Sequence, residues 1–215
     1  MRSVIGLIYM MALFSVYSQA LDKAKGQTQG SPPVVSLPAL SQVEGSKPNI
    51  VIVMADDMGY SDLGCYGSEI ETPVLDRLGE QGLRLTNFSN TAKCHSSRVS
   101  LLSGLWCYQA GSSSLKNSVT FAQLLRERGY ATWMVGKWHL SKTPHEFGFE
   151  KYFGHLSGSS DYVKGNDTFL LNGKPFNDFG EDASEFYLTD ANTDYAIRFL
   201  REWSKGGKKQ PFLLY

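Results

Sequence analysis

Hydrophobic residues change their period along this chain, and the changes mark out its elements. Asn49-Ile50-Val51-Ile52-Val53-Met54 is a continuous apolar run without alternation, the pattern of a parallel strand buried on both faces. It ends in Ala55-Asp56-Asp57, so two carboxylates stand at its carboxyl end. Thr72-Pro73 opens a helix with Val74, Leu75 and Leu78 on one face and Gly82 as its stop. Leu83 to Phe88 alternates apolar and polar residues and predicts a half-buried strand. Cys94 follows in a loop, and Arg98 to Leu102 begins another helix. Thr120 with Gln123 forms a capping box ahead of Phe121, Leu124 and Leu125, and Gly129 suits the left-handed stop. Tyr130 to Val135 predicts the next strand, with Lys137 and His139 just past its end. Asn172-Gly173 predicts a two-residue hairpin turn within Thr168 to Phe176. A last amphipathic helix spans Asp190 to Trp203, carries Tyr195, Phe199 and Trp203, and stops at Gly206-Gly207. The apolar run Pro211 to Tyr215 then reads as the start of a buried strand. The chain is therefore expected to be the amino-terminal part of a longer domain.

Strands alternating with helices predict an α/β fold, a largely parallel central sheet flanked by helices. Such sheets bind ligands at the carboxyl ends of their strands. That edge collects Asp56, Asp57, Lys137 and His139, and the Cys94 loop can fold back onto it.

The ends of the sequence and its charge narrow the setting. Residues 1–20 combine Arg2, an apolar run from Val4 to Val16 and the small residues of Ser18-Gln19-Ala20, which predicts a cleaved signal peptide. The run is short for a bilayer span, so no stable membrane anchor is expected. Residues 21–48, rich in Gly, Pro and Ser, predict a flexible linker, and residues 49–215 are long enough for one domain. The protein is thus expected to be exported, to a periplasm or the extracellular space. Lys and Arg together number 21, as do Asp and Glu, so no nucleic-acid partner is implied. The three cysteines, Cys65, Cys94 and Cys107, leave one thiol unpaired. With Cys94 functional, Cys65 and Cys107 could pair, or both could remain small buried residues.

The residues at the predicted edge carry a particular chemistry. Adjacent Asp56 and Asp57 repel unless a cation lies between them, and oxygen-only donors favour a hard ion. Cys94 at a helix amino terminus would have its thiolate favoured by the helix dipole. Arg98 could fork hydrogen bonds onto an oxyanion. Lys137 offers a compact charge and His139 a proton or a lone pair. Two residues apart in an extended segment, these two point to one side. No spacing resembles a zinc site, a phosphate loop or a dinucleotide fingerprint.

These residues resemble the type I sulfatase family of the alkaline phosphatase superfamily, from about Lys47 to the end. The resemblance rests on the Cys-x-x-Ser-Arg element at Cys94 to Arg98 and on Gly129-Tyr130-x-Thr132 through Gly136-Lys137-x-His139. Asn49 to Asp57 with Tyr60, Asp62 and Gly64, and Thr72-Pro73 to Leu78, are similar to the family's opening strand, metal loop and next helix. The resemblance implies an arylsulfatase-like sulfuric ester hydrolase. In that family a formylglycine-generating enzyme oxidises the cysteine during export to formylglycine (3-oxoalanine), whose gem-diol attacks sulfur. Cys94 would be the nucleophile precursor, and Asp56, Asp57 and the modified Cys94 would bind one calcium ion (Ca2+). Arg98 would hold the gem-diol and the metal site, Lys137 a sulfate oxygen, and His139 the formylglycine hydroxyl. The substrate would be a sulfated small molecule or sulfated carbohydrate. Ser96 stands where the family has Pro or Ala, and further ligands would come from later strands. Two other readings share the scaffold: a phosphate or phosphonate ester hydrolase, and a catalytically silent protein that binds sulfated glycans.

Overall fold

The computed structural model describes residues 47–181, 185–207 and 210–215. The expected signal peptide and nearly all of the expected linker therefore lie outside the described residues. Ten regular elements follow in chain order: β1 (Ile50–Val51), α1 (Pro73–Gln81), α2 (Cys94–Ser103), α3 (Phe121–Glu127), β2 (Ala131–Val135), β3 (Lys151–His155), β4 (Phe169–Leu171), β5 (Lys174–Pro175), α4 (Leu188–Lys205) and β6 (Phe212–Leu214).

The strands form one sheet in the order β1-β6-β2-β3-β4-β5. β1, β6, β2 and β3 are mutually parallel, and β4 and β5 join antiparallel. The expected α/β architecture is present, with an antiparallel flank on its parallel core. The alternation of strand side chains splits the apolar residues into two clusters. On one face Met134, Tyr152 and Leu213 pack with Val99 and Leu102 of α2 and Ala122 of α3. On the other, Trp133, Phe153, Phe212 and Leu214 pack with Phe199 of α4. Among the described residues, no helix is long and apolar enough to cross a membrane.

Several local expectations hold for the physical reasons given. Thr120 accepts a hydrogen bond from the Gln123 amide, and the Thr120 amide donates back to Oε1 of Gln123. Asn172 and Gly173 both take positive φ, 50° and 82°, as a two-residue hairpin turn demands. The closing apolar run becomes β6, which sits between β1 and β2 and is fully covered.

Other expectations need correction. Leu83 to Phe88 is not a strand: both of its ends are exposed, and its Leu85 carbonyl accepts the Tyr66 hydroxyl at 3.2 Å instead of a strand partner. Alternation alone cannot supply a neighbouring edge. Regular pairing of the first strand is confined to Ile50 and Val51, extended by the Ile52 amide to the Leu214 carbonyl, and Val53 is 74% exposed. It is an edge strand among the described residues, not one covered on both faces. Cys94 stands at a helix amino terminus, as expected, but within the helix: it is the first residue of α2, which starts four residues before Arg98, and not part of a preceding loop. β3 has no counterpart in the sequence reading. The three cysteines are free thiols, Cys65 against Gly79 of α1 and Cys107 in the core, so a Cys65–Cys107 bridge is not formed.

Candidate active site at the carboxyl edge of the sheet

Three distant segments meet beyond the carboxyl ends of β1 and β2. Lys137 donates from Nζ to Asp56 Oδ2 at 2.6 Å. Arg98 reaches the same oxygen from Nη2 at 3.8 Å, and its Nη1 donates to the Lys137 carbonyl at 2.6 Å. Arg98 is only 4% exposed, and its Nε has no hydrogen-bond partner among the described residues. It thus ties α2 to the end of β2 with one arm and to the end of β1 with the other.

The β2 segment enters the site along β3. Past Val135, the amides of Gly136, Trp138 and His139 donate to the carbonyls of Phe153, His155 and Leu156 at 2.8, 3.0 and 3.1 Å. Trp138 is buried and its Nε1 donates to the Lys142 carbonyl, which anchors the segment. Lys137 and His139 flank it on the more open side, as expected, but His139 has φ 57° and leaves the extended conformation. Gly154 makes this pairing possible: a Cβ there would lie 2.0 Å from the Gly136 carbonyl oxygen.

Cys94, a half-buried free thiol, begins a ten-residue helix one turn before Arg98. Residues four apart share a helix face, so Cys94 lies on the side of α2 that Arg98 turns to the site. The amino end of α2 also carries positive helix-dipole potential. Asp57 is exposed with φ 57° and joins no ion pair among the described residues. His95 comes within 6.0 Å, ring to ring, of His139 in an edge-on arrangement.

The charges shape one another. Burial tends to raise the Asp56 carboxyl, but the Lys137 hydrogen bond and charge, with Arg98 and His139, hold it below its ordinary value. It is therefore an anion at neutral pH. Burial first, then Lys137, His95 and Arg98, push His139 down, against the opposing pull of Asp56. Its imidazole is thus neutral at neutral pH, and its buried Nδ1 has no partner among the described residues. Asp56 and Asp57 offer the oxygen donors a hard cation takes. Among the described residues no group of three or more His, Cys, Asp and Glu side chains converges as a metal cage. The donor set is right in kind and short in number.

His155, for which the sequence offers no obvious partner, borders this site. It ends β3, is buried, and shares its Nδ1 with the carbonyl and hydroxyl of Ser157 at 3.1 Å. Burial drives its pKa down to about 4, helped by Lys137 and Arg98. Its signal in the sequence is faint, the apolar pair Tyr152-Phe153 set between Gly148 and Gly154. The shift has a consequence for stability. The folded protein resists protonating His155 while the unfolded chain accepts a proton near pH 6.5. Stability should therefore fall by about 2–3 kcal/mol as pH drops from 6.5 to 4 and level off below, with His139 contributing in the same direction. Denaturant melts between pH 7 and 4 check this, and His155→Gln should flatten most of the slope. A wild-type profile that is flat across that range would contradict the burial argument. Two surface clefts, of about 400 and 380 Å³, share no residue with this edge.

Comparison with known proteins gives the geometry its context. The chain is 38% identical over 136 residues to arylsulfatase J of Mus musculus, covering 54% of this chain and 22% of that protein. It is 36% identical over 137 residues to N-acetylgalactosamine-6-O-sulfatase of Bacteroides thetaiotaomicron, covering 58% and 26%. Among solved structures, BT4656 in complex with its substrate D-glucosamine-2-N,6-O-disulfate superposes with TM-score 0.67 at 34% identity, over 79% of this chain and 33% of its own. PsFucS1 sulfatase from Pseudoalteromonas sp. shares the fold over 95% of this chain and 46% of its own, with TM-score 0.68 at 23% identity. The chain spans about a quarter of the length of the curated relatives it matches. The sulfatase family model matches residues 48–215, and with the Cys94 to Arg98 helix set against Lys137 and Asp56, the chain belongs to the sulfatase family.

Proposed function

We propose that the full-length protein is an exported sulfuric ester hydrolase of arylsulfatase type. The observation that carries this reading is the meeting of Arg98, Lys137 and Asp56 beside a helix that begins at Cys94. A formylglycine-generating enzyme would convert Cys94 to formylglycine before folding. The hydrated aldehyde would supply two hydroxyls on one carbon, one to bond sulfur as the S–O bond to the alcohol breaks and the alcohol leaves, the other to lose its proton as sulfate is expelled and the aldehyde re-forms.

The remaining residues have separable tasks. Asp56 and Asp57 would hold one calcium ion with donors from later in the full-length chain, and that ion would supply positive charge beside the sulfuryl oxygens. Arg98, fixed at both ends, places its guanidinium where the modified residue 94 lies one helical turn away. Lys137 brings an ammonium that donates to Asp56 at 2.6 Å and has further N–H donors for a sulfate oxygen. His139, kept neutral, has a lone pair to accept a hydroxyl proton. Sulfated carbohydrates are the favoured substrates, because both a curated relative and a solved neighbour are sulfatases or complexes of amino sugars bearing sulfate.

The test compares aryl sulfate with aryl phosphate turnover by full-length protein matured with the oxidising enzyme. Sulfate turnover should exceed phosphate turnover by at least about 100-fold, with an aldehyde on the Cys94 peptide by mass spectrometry. Preferential phosphate turnover would replace the reading with a phosphoesterase. Absence of both activities alongside sulfated-glycan binding would replace it with a silent binder.

A further inference from the structure

We propose that Gly158 is a positioning residue for His139: the loop after β3 leaves room for the imidazole only because residue 158 has no side chain. A Cβ on Gly158 would lie 2.6 Å from His139 Nε2, 2.8 Å from Cε1 and 3.1 Å from Cδ2. Real Cβ atoms do not approach that closely, so ring and side chain cannot coexist as placed. Backbone conformation is not the reason for the glycine. Gly158 is not among the residues with positive φ, unlike Gly136, Gly148 and Gly154, so an L-residue fits its backbone. What forbids a side chain is space, and the space belongs to the His139 ring.

The contact matters because little else orients that ring. Neither ring nitrogen of His139 has a hydrogen bond among the described residues, and Nδ1 is buried. Its aromatic neighbour is His95, edge-on at 6.0 Å. The Gly158 loop, by contrast, is well tied. Ser157 Oγ donates to the Ser159 carbonyl at 2.7 Å, and Asn166 Nδ2 donates to both Ser157 Oγ and the Ser159 carbonyl at 2.9 Å. Thr168 accepts from the Ser157 amide at 3.2 Å and donates to Asn166 Oδ1 at 2.6 Å. The His139 amide is itself held by the Leu156 carbonyl at 3.1 Å. With backbone and loop both fixed, an added methyl would move the ring. Shape here replaces the hydrogen bond that usually sets an imidazole.

The proposal rests on the reading that His139 acts at this site, and its test separates the two. Gly158→Ala and the control Ser159→Ala are made in the full-length protein. In Gly158→Ala the His139 Cε1–H and Cδ2–H signals should move while those of His145 stay, and Ser159→Ala should leave all of them in place. Aryl sulfate kcat should fall about 10- to 100-fold with KM within about threefold, the mark of misplacement and not of lost binding. If the His139 signals of Gly158→Ala match wild type, the proposal is overturned whatever the turnover. If wild type itself turns over no sulfate ester, the catalytic reading falls while the ring signals still decide Gly158. Should Gly158→Ala fail to fold, His139→Gly/Gly158→Ala removes the obstruction and should fold; failure of that pair as well overturns the proposal.

Discussion

Cys94→Ala in the full-length, matured protein should lower sulfate release from an aryl sulfate by about 10⁴-fold or more, the scale of losing a covalent nucleophile. Stability should hardly change. Cys94 is half-buried at the first position of α2, and its thiol makes no hydrogen bond or bridge among the described residues. Alanine is also the best helix former, so the helix itself loses nothing. The paired measurement is sulfate release by ion chromatography beside a thermal melt. Turnover within about tenfold of wild type would mean that the attacking group lies elsewhere, since no neighbouring hydroxyl can do two successive steps from one carbon. Loss of turnover together with a large drop in Tm would instead mark Cys94 as structural.

Arg98→Ala should be the most damaging substitution for the fold of the site, costing about 2–4 kcal/mol of stability and about 10³-fold or more in turnover. The guanidinium is buried, and three things go with it. The Lys137 carbonyl loses its 2.6 Å donor, Asp56 loses one of two cations, and a cavity opens in the core. The Arg98 charge also acts on the buried Tyr152 and Tyr215 hydroxyls, partly offsetting the effect of their burial. Lysine should rescue little, because a single ammonium cannot serve a carbonyl and a carboxylate from two arms of one planar fork. Urea unfolding of wild type, Arg98→Ala and Arg98→Lys checks the order. A loss under about 0.5 kcal/mol in Arg98→Ala would show that the two ties contribute no net stability.

Much of this site was legible in the sequence because each piece obeys a local rule. Asp56-Asp57 follow an apolar run, and Lys137 and His139 follow another, so both pairs fall at strand ends on one sheet edge. Thr120 with Gln123 and Asn172 with Gly173 are likewise decided within a few residues. Leu83 to Phe88 shows where local rules fail. Its alternation satisfies a strand pattern, yet among the described residues no strand lies beside it, and the Tyr66 hydroxyl takes the Leu85 carbonyl. β3 was missed for the opposite reason. Gly154 breaks the pattern, although its lack of a side chain is what lets β3 lie against Gly136.

From its residues alone, this chain determines an α/β scaffold, the identity of its charged groups and the strand edge on which they stand, because periodicity and capping act over one or two turns. Tertiary structure alone decides which groups share atoms. That Arg98 spends one arm on the Lys137 carbonyl, that Lys137 is paired with Asp56 across 81 residues, and that His139 rests against a bare Gly158 all depend on chain segments closing over long loops. Closure is governed by packing and available volume, and no local pattern encodes those.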